Sequence, residues 1–254
     1  MIKELLHPIA IDNNGKSIHI SQAEKGNQYL CPYCKNRFIF NRSLKIGKGS
    51  RRAHFSHESL SPNCTSEGYL HSSFKLLLLE YLSSGLDNNS PIIVSFKCNH
   101  CTKMHNANLI SGAISIKGEY DLQVCRPDIA LLTNGKNVYA VIEVIVTHEP
   151  EEKTVNYYKD NKIILIKYKL DSYDDLQRFN EKVKYPTEVI LFDKRQCPTF
   201  VAQQQMFQKN IILQKRISSQ GHSGPRIDQI ESQKSDSNRK QYYAIKNYYK
   251  KKKR

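Results

Sequence analysis

The chain has 254 residues, of which 39% are hydrophobic and 25% charged, so most of it is expected to fold around a core of ordinary size. No apolar run is long enough to span a bilayer, and the first residues carry Glu4 within too short an apolar stretch for a secretory signal. These features exclude a membrane-spanning protein and predict a cytoplasmic one, in which the seven cysteines are metal ligands or core residues rather than disulfides.

The net charge of +15 points to a polyanionic partner, and nucleic acid is the first expectation. Residues 215–254 hold twelve Lys and Arg against three Asp and Glu, so nine of the fifteen net charges lie there. We predict a basic, flexible, low-complexity tail over residues 206–254. The alternative for this segment is a tail that only improves solubility.

Residues 1–64 predict a small β-rich domain that binds zinc. Its start alternates like strands around Asn13-Asn14-Gly15 and predicts a hairpin. Next come a Cys-x-x-Cys knuckle and a later group of His and Cys, the spacing of tetrahedral zinc sites. Five side chains compete for four positions, and either the His pair or one His with the last Cys completes the set: Cys31, Cys34, His54, His57 and Cys64.

Glu67–Ser84 has an apolar stripe at helical spacing and predicts a helix that ends at Gly85. Glu67, His71 and Lys75 form a polar stripe beside it, because residues four apart share a face. When the stripe is taken alone, a solvated helix face is the better explanation. A stripe turned toward a neighbouring sheet could instead complete a metal site.

A strand at Pro91–Phe96 leads into a second knuckle, formed by Cys98 and Cys101. This pair predicts a possible second zinc site, whose other ligands the spacing leaves open. The candidates are His105, Cys125 and Cys197. The latter two cysteines are otherwise explained as small buried residues.

Two apolar strands, at Arg126–Leu132 and Val138–Thr147, each carry one carboxylate, Asp128 and Glu143. An Asn-Gly pair between them predicts a hairpin turn. A buried carboxylate must be paired or must bind a cation, because an unpaired buried charge is very costly. Two such groups on neighbouring strands predict a site of oxygen ligands for Mg²⁺.

Another strand is expected within Ala113–Tyr120. Beyond the hairpin, helices and strands alternate, which predicts a mixed α/β sheet over residues 65–205. The expected elements are a helix at Pro150–Asp160, a strand at Lys162–Tyr168, a helix at Ser172–Val183 and a strand at Glu188–Phe192.

Taken together, these motifs resemble the competence protein CoiA-like family of predicted nucleases, over about residues 8–170. The resemblance rests on Ala10, Gly15 and Ala23, the first knuckle with its His and Cys partners, the polar helix stripe, and the carboxylates of the two strands. It implies a PD-(D/E)XK (restriction-endonuclease-like) core behind a zinc-binding region. It also implies that Asp128 and Glu143 hold catalytic Mg²⁺ or Mn²⁺, that Glu67 assists, and that His71 or Lys75 handles a proton or stabilises charge. The implied substrate is DNA, with RNA second.

The chain departs from the family pattern two residues after Glu143, where PD-(D/E)XK enzymes usually have Lys and CoiA-like proteins often Gln. Here the residue is Ile145. Strand alternation predicts that Glu143, Ile145 and Thr147 share one face. Either Lys75, or less favourably Lys153, has taken over the missing role, or the protein is a zinc-stabilised nucleic-acid adaptor that does not cleave.

Overall fold

The structure is a computed structural model that describes residues 7–42, 53–59, 61–134 and 137–219. The chain divides into two compact units, Met1–Val201 and Ala202–Arg254. The sheets formed by the described residues belong to the first unit. The described part of the second is the continuation of a helix at Pro198–Ser219. None of the helices among the described residues is both long and apolar enough to cross a bilayer.

The N-terminal residues form a five-stranded antiparallel sheet, which confirms the expected first hairpin. The strands follow the order β2-β1-β3-β4-β5 and comprise β1 (Ile9–Ile11), β2 (Ser17–His19), β3 (Tyr29–Leu30), β4 (Arg37–Asn41) and β5 (His54–His57). Gly15 has a positive φ of 78° in the turn between β1 and β2, a conformation that glycine adopts without steric cost.

The expected helix is present as α1 (Ser66–Asp87), and the Thr65 hydroxyl caps it by accepting from the Gly68 N–H. The prediction that Gly85 ends the helix is wrong. Gly85 lies inside α1 and packs on Ile92, so close that a Cβ would lie 2.6 Å from the Ile92 Cδ1 atom. This glycine is therefore a site of close packing, and the helix continues to Asp87.

A second five-stranded sheet follows a small hairpin of β6 (Ile93–Lys97) and β7 (Met104–Asn108). Its order is β12-β11-β10-β9-β8, in which β10 and β11 are parallel and the other neighbours antiparallel. The mixed α/β prediction is confirmed. The strands are β8 (Ser115–Gly118), β9 (Ile129–Leu132), β10 (Val138–Ile145), β11 (Ile164–Lys169) and β12 (Glu188–Ile190).

Helices cover both faces of this sheet, as the alternation of β10 shows. Side chains of α1 share one buried cluster with one set of strand residues: Phe74, Leu78, Ile142 and Val144. Helix α2 (Glu152–Asp160) contributes Tyr158 to a different cluster, with Val141 and Leu165. Burial of both faces explains why these strands read as nearly continuous apolar runs.

Four further predictions differ from the structure or fall outside its described residues. The single helix expected at Ser172–Val183 is divided into α3 (Asp174–Gln177) and α4 (Phe179–Lys184). Helix α5 (Pro198–Ser219) was not predicted and crosses the expected boundary at residue 206. The predicted Asn-Gly turn includes residues 135–136, which lie outside the described residues. Residues 220–254, which hold most of the basic residues of the predicted tail, also lie outside them.

Candidate metal centres and carboxylate site

Four side chains from three elements converge near the start of α1. Their ligand atoms all lie within 4.8 Å of one another, and the set consists of Cys31, Cys34, His57 and Cys64. The Cys31 and Cys64 Sγ atoms are 3.7 Å apart, and the Cys34 Sγ lies 3.2 Å from the His57 Nε2. Three thiols and one imidazole in a compact cluster could hold a metal such as zinc.

The geometry of β5 decides between the two histidines. His54 and His57 are three residues apart on a strand, so their side chains project from opposite faces. Only His57 belongs to the ligand group. Of the two sets left open by the sequence, the structure therefore selects one His with Cys64. A His pair at this spacing would share a face on a helix, which this segment is not.

A second group joins three side chains of the β6–β7 hairpin to Cys197, which stands directly before α5, and consists of Cys98, Cys101, His105 and Cys197. The Cys98 and Cys197 Sγ atoms are 3.6 Å apart, and the Cys101 Sγ lies 3.1 Å from the His105 Nε2. Two of the three candidate partners thus join the knuckle. This set too could hold a metal such as zinc.

The two knuckles have the same backbone form, an agreement that sequence spacing alone does not reveal. The residue after the second Cys has a positive φ in each, 61° at Lys35 and 60° at Thr102. The N–H of that residue donates to the carbonyl of the first Cys, at 3.1 Å in one knuckle and 2.9 Å in the other. This turn aims both thiols of each knuckle toward one point, as a shared metal ion requires.

Asp128 lies immediately before β9, beside the C-terminal end of β10. Its Oδ2 atom accepts a 2.9 Å hydrogen bond from the Val144 N–H and lies 3.1 Å from the His71 Nε2. The Lys75 Nζ is 3.5 Å from Oδ1. Burial opposes ionisation, but the contact with His71, the amide hydrogen bond and the charge of Lys75 together hold the pKa of Asp128 below its ordinary value.

Glu143 reaches toward α2, and its carboxylate also accepts a hydrogen bond from the Asp128 backbone N–H. The Tyr158 hydroxyl donates a 2.7 Å hydrogen bond to its Oε1 atom. Burial raises the pKa of Glu143 to about 7, and the negative charge of Asp128 contributes in the same direction, while the Tyr158 hydrogen bond opposes the shift. The two carboxylates therefore interact electrostatically, although their side-chain partners, His71 and Tyr158, lie on different helices.

The carboxylate site does not form a compact ligand set like those of the cysteines. Within the described ranges, the groups of three or more ligand atoms within 4.8 Å are the two Cys/His sets. Asp128 is instead engaged by His71, and Glu143 by Tyr158. A hard cation would find carboxylate oxygens of the right chemistry here, but it would have to replace the His71 contact to bind both groups.

The three residues of the polar stripe of α1 make contacts in two different regions. His71 and Lys75 reach Asp128, whereas the contacts of Glu67 lie further toward the start of the helix. The Thr147 hydroxyl donates to the Glu67 Oε1 atom, which is also 3.6 Å from the His148 Nδ1. Glu67 lines a pocket of about 360 Å³, whose other walls are Tyr33, Thr65, Gly68, His71, Val144, Val146 and His148.

The expectation that Glu143, Ile145 and Thr147 share one face applies only as far as the strand continues. Ile145 is buried, at 3% exposure, and belongs to the same strand as Glu143. Because β10 ends at Ile145, Thr147 lies in a bend and its hydroxyl turns to α1, so the predicted shared face is wrong for this residue. Lys153 is 70% exposed and paired with Glu151, whereas Lys75 lies at the carboxylate site.

Three contacts of this region were not predicted. Tyr158 bonds to Glu143, Glu119 pairs with Lys75, and Lys167 lies directly beside Glu143 in the parallel β10–β11 register. Lys167 is 14% exposed and pairs with Glu149 and Glu188. The sequence did contain a signal for the ion pairs of Lys167, because a Lys at the centre of an apolar strand needs partners for its charge.

The buried Glu143 carboxyl predicts an unusual pH dependence of stability in protein free of divalent cations. Between its ordinary pKa and about 7, the folded state binds the proton more tightly than the unfolded state. Stability therefore falls as pH rises through this window. We expect Glu143→Gln to stabilise the fold at pH 8 by on the order of 3 kcal/mol, and by much less at pH 4.5.

Urea unfolding at the two pH values measures this difference. Glu24→Gln is the matched control, because it removes an exposed carboxylate from a loop and should change little at either pH. A gain from Glu143→Gln that is equal at pH 4.5 and pH 8 would contradict the assigned burial effect.

No protein-family model, no curated protein and no solved structure matches this chain.

Proposed function

We propose that the chain is a metal-dependent nuclease that hydrolyses phosphodiester bonds of DNA, and of RNA as a second substrate. The observation that carries the proposal is the placement of two carboxylates on neighbouring strands of an apolar sheet, where burial and, to a smaller degree, the charge of Asp128 raise the pKa of Glu143. A buried carboxyl with a raised pKa beside a second carboxylate is typical of sites that bind a cation or handle a proton.

Asp128 and Glu143 would hold Mg²⁺ or Mn²⁺, which when bound polarises a phosphate and lowers the pKa of a water molecule. Lys75 places a positive charge beside Asp128 and is the favoured group to stabilise the transition state. His71 lies at hydrogen-bond distance from the same carboxylate and can accept or return a proton. Tyr158 fixes the orientation of Glu143.

The Cys/His groups support this site from outside it. Cys64 stands directly before the Thr65 cap of α1, so a metal in the first group would fix the start of the helix that carries His71 and Lys75. In the second group, Cys197 stands directly before α5. Both metals would therefore be structural, each joining a hairpin to the start of a long helix.

The second candidate function is a zinc-stabilised adaptor that binds nucleic acid without cleaving it. The buried Ile145 favours it, because the position of the usual catalytic Lys holds an apolar side chain. An adaptor should bind nucleic acid in a salt-sensitive manner and cleave nothing with any divalent cation.

Cleavage assays distinguish the two functions. Zinc-loaded protein would be incubated with single- and double-stranded DNA and RNA, with Mg²⁺, with Mn²⁺ and with neither. The nuclease proposal expects cleavage that requires the added cation and disappears in Glu143→Gln prepared in parallel, which excludes a contaminating nuclease. Salt-sensitive binding with no cleavage under any of these conditions would favour the adaptor.

A further inference from the structure

We propose that the pocket between the first knuckle and α1 binds one nucleobase of a single-stranded nucleic acid, stacked on Tyr33. The inference rests on the proposed function, since it takes nucleic acid as the ligand of the neighbouring carboxylate site. It adds a base-binding site beside the position of the reacting phosphate and thereby names an unpaired strand as the substrate class.

The pocket and the carboxylate site share a wall. His71 lines the pocket and also lies 3.1 Å from the Asp128 Oδ2 atom. A phosphate held at Asp128 would therefore place an adjoining nucleotide at the pocket entrance. The volume of about 360 Å³ lies at the lower end of ligand sites, which suits one planar group and its sugar better than a folded duplex.

Tyr33 supplies the stacking surface. It is 41% exposed, although it lies between two cysteines of a metal group, and it rests on the backbone of Gly68. A Cβ at Gly68 would lie 2.5 Å from the Tyr33 ring, so the approach depends on the absence of a side chain there. Aromatic side chains held in this way stack on bases of any sequence, because every base has a π-face.

Glu67 supplies a hydrogen-bond acceptor opposite an apolar wall. Thr147 and His148 both engage its Oε1 atom, and Oε2 is the carboxylate oxygen that would accept from a ligand. Val144 and Val146 form the apolar side of the pocket. A carboxylate accepts from the exocyclic amino groups of cytosine and adenine, so these bases should be preferred over thymine.

Fluorescence anisotropy with labelled oligo(dC), oligo(dA) and oligo(dT) tests the site in Asp128→Asn protein, which keeps the strand intact during the measurement. Tyr33→Ala should weaken binding of oligo(dC) by roughly 5- to 150-fold, the range for loss of one stacked base. Tyr33→Phe should retain binding. Gly68→Ala, which displaces the ring without removing it, should also weaken binding. Glu67→Met should abolish the preference over oligo(dT).

Tyr185→Ala is the matched control, since this tyrosine is 50% exposed at the end of α4 and does not line the pocket. Zinc content is measured for every variant, so that loss of the knuckle is recognised. Binding by zinc-loaded Tyr33→Ala that equals the parent would overturn the pocket and leave the nuclease proposal intact. Weaker binding by Tyr33→Ala in a protein that never cleaves would support the pocket and refute the nuclease.

Discussion

Asp128→Asn should lower the rate of cation-dependent cleavage by more than about 100-fold, because even residues that only support metal ligands account for roughly 10- to 100-fold. Asparagine keeps an oxygen that can accept from the Val144 N–H, so the strand pairing should survive. The charge that would bind the cation is lost. Glu143→Gln should have a comparable effect, while Tyr158 can still donate to the amide oxygen.

Single-turnover cleavage at saturating enzyme measures this loss without interference from product release. Asp121→Asn is the matched control, because Asp121 is a 67% exposed carboxylate in the segment before β9 and pairs with Arg126 at the surface. Its rate should stay close to that of the parent. Equal rates for the parent, Asp128→Asn and Glu143→Gln would eliminate these carboxylates as the catalytic centre.

Loss of one ligand from the first Cys/His group should unfold the N-terminal sheet. Metal binding to such sets contributes roughly 10–16 kcal/mol in small zinc domains, which is comparable with the whole stability of a domain. Since there are two groups, His57→Ala or Cys64→Ser should reduce bound zinc from two ions to one per chain. Elemental analysis gives the stoichiometry, and limited proteolysis locates the unfolded segment.

His54→Ala provides the matched control for His57→Ala on the same four-residue strand. The His54 side chain projects from the other face of β5, so this variant should keep both zinc ions. Retention of zinc by His57→Ala together with its loss in His54→Ala would show that the ligand set is wrong. The double variant of Cys98 and Cys101 should remove the second ion and leave the first in place.

Local spacing made part of this arrangement predictable. A Cys-x-x-Cys pair is recognised as a knuckle from four consecutive residues. A carboxylate in an otherwise apolar strand is likewise recognised as unusual from the strand's own short sequence. The choice between His54 and His57 could not be made without knowing that the segment is a strand. Cys197 lies 99 residues from Cys98, and no periodicity connects positions so far apart.

Other features depend on packing that local patterns do not encode. Gly85 reads as a helix end, but its lack of a side chain serves contact with Ile92. Tyr158 reads as an ordinary helix residue until the sheet places Glu143 against it. Thr147 continues the strand in the sequence, whereas the backbone bends after Ile145. In each case the deciding neighbour comes from a different element.

The unequal spans of the two Cys/His groups would impose an order on metal binding during synthesis. Cys31 and Cys64, the outermost members of the first group, are 33 residues apart, so this set is complete before the second five-stranded sheet has been translated. The second group lacks its last member until Cys197 has left the ribosome, after every strand of the described residues. Because domains fold progressively from the N-terminus, a metal in the first group would act before the second sheet forms, and a metal in the second group only after its strands have been made. A chain that ends before Cys197 would carry only three of the four side chains of the second group.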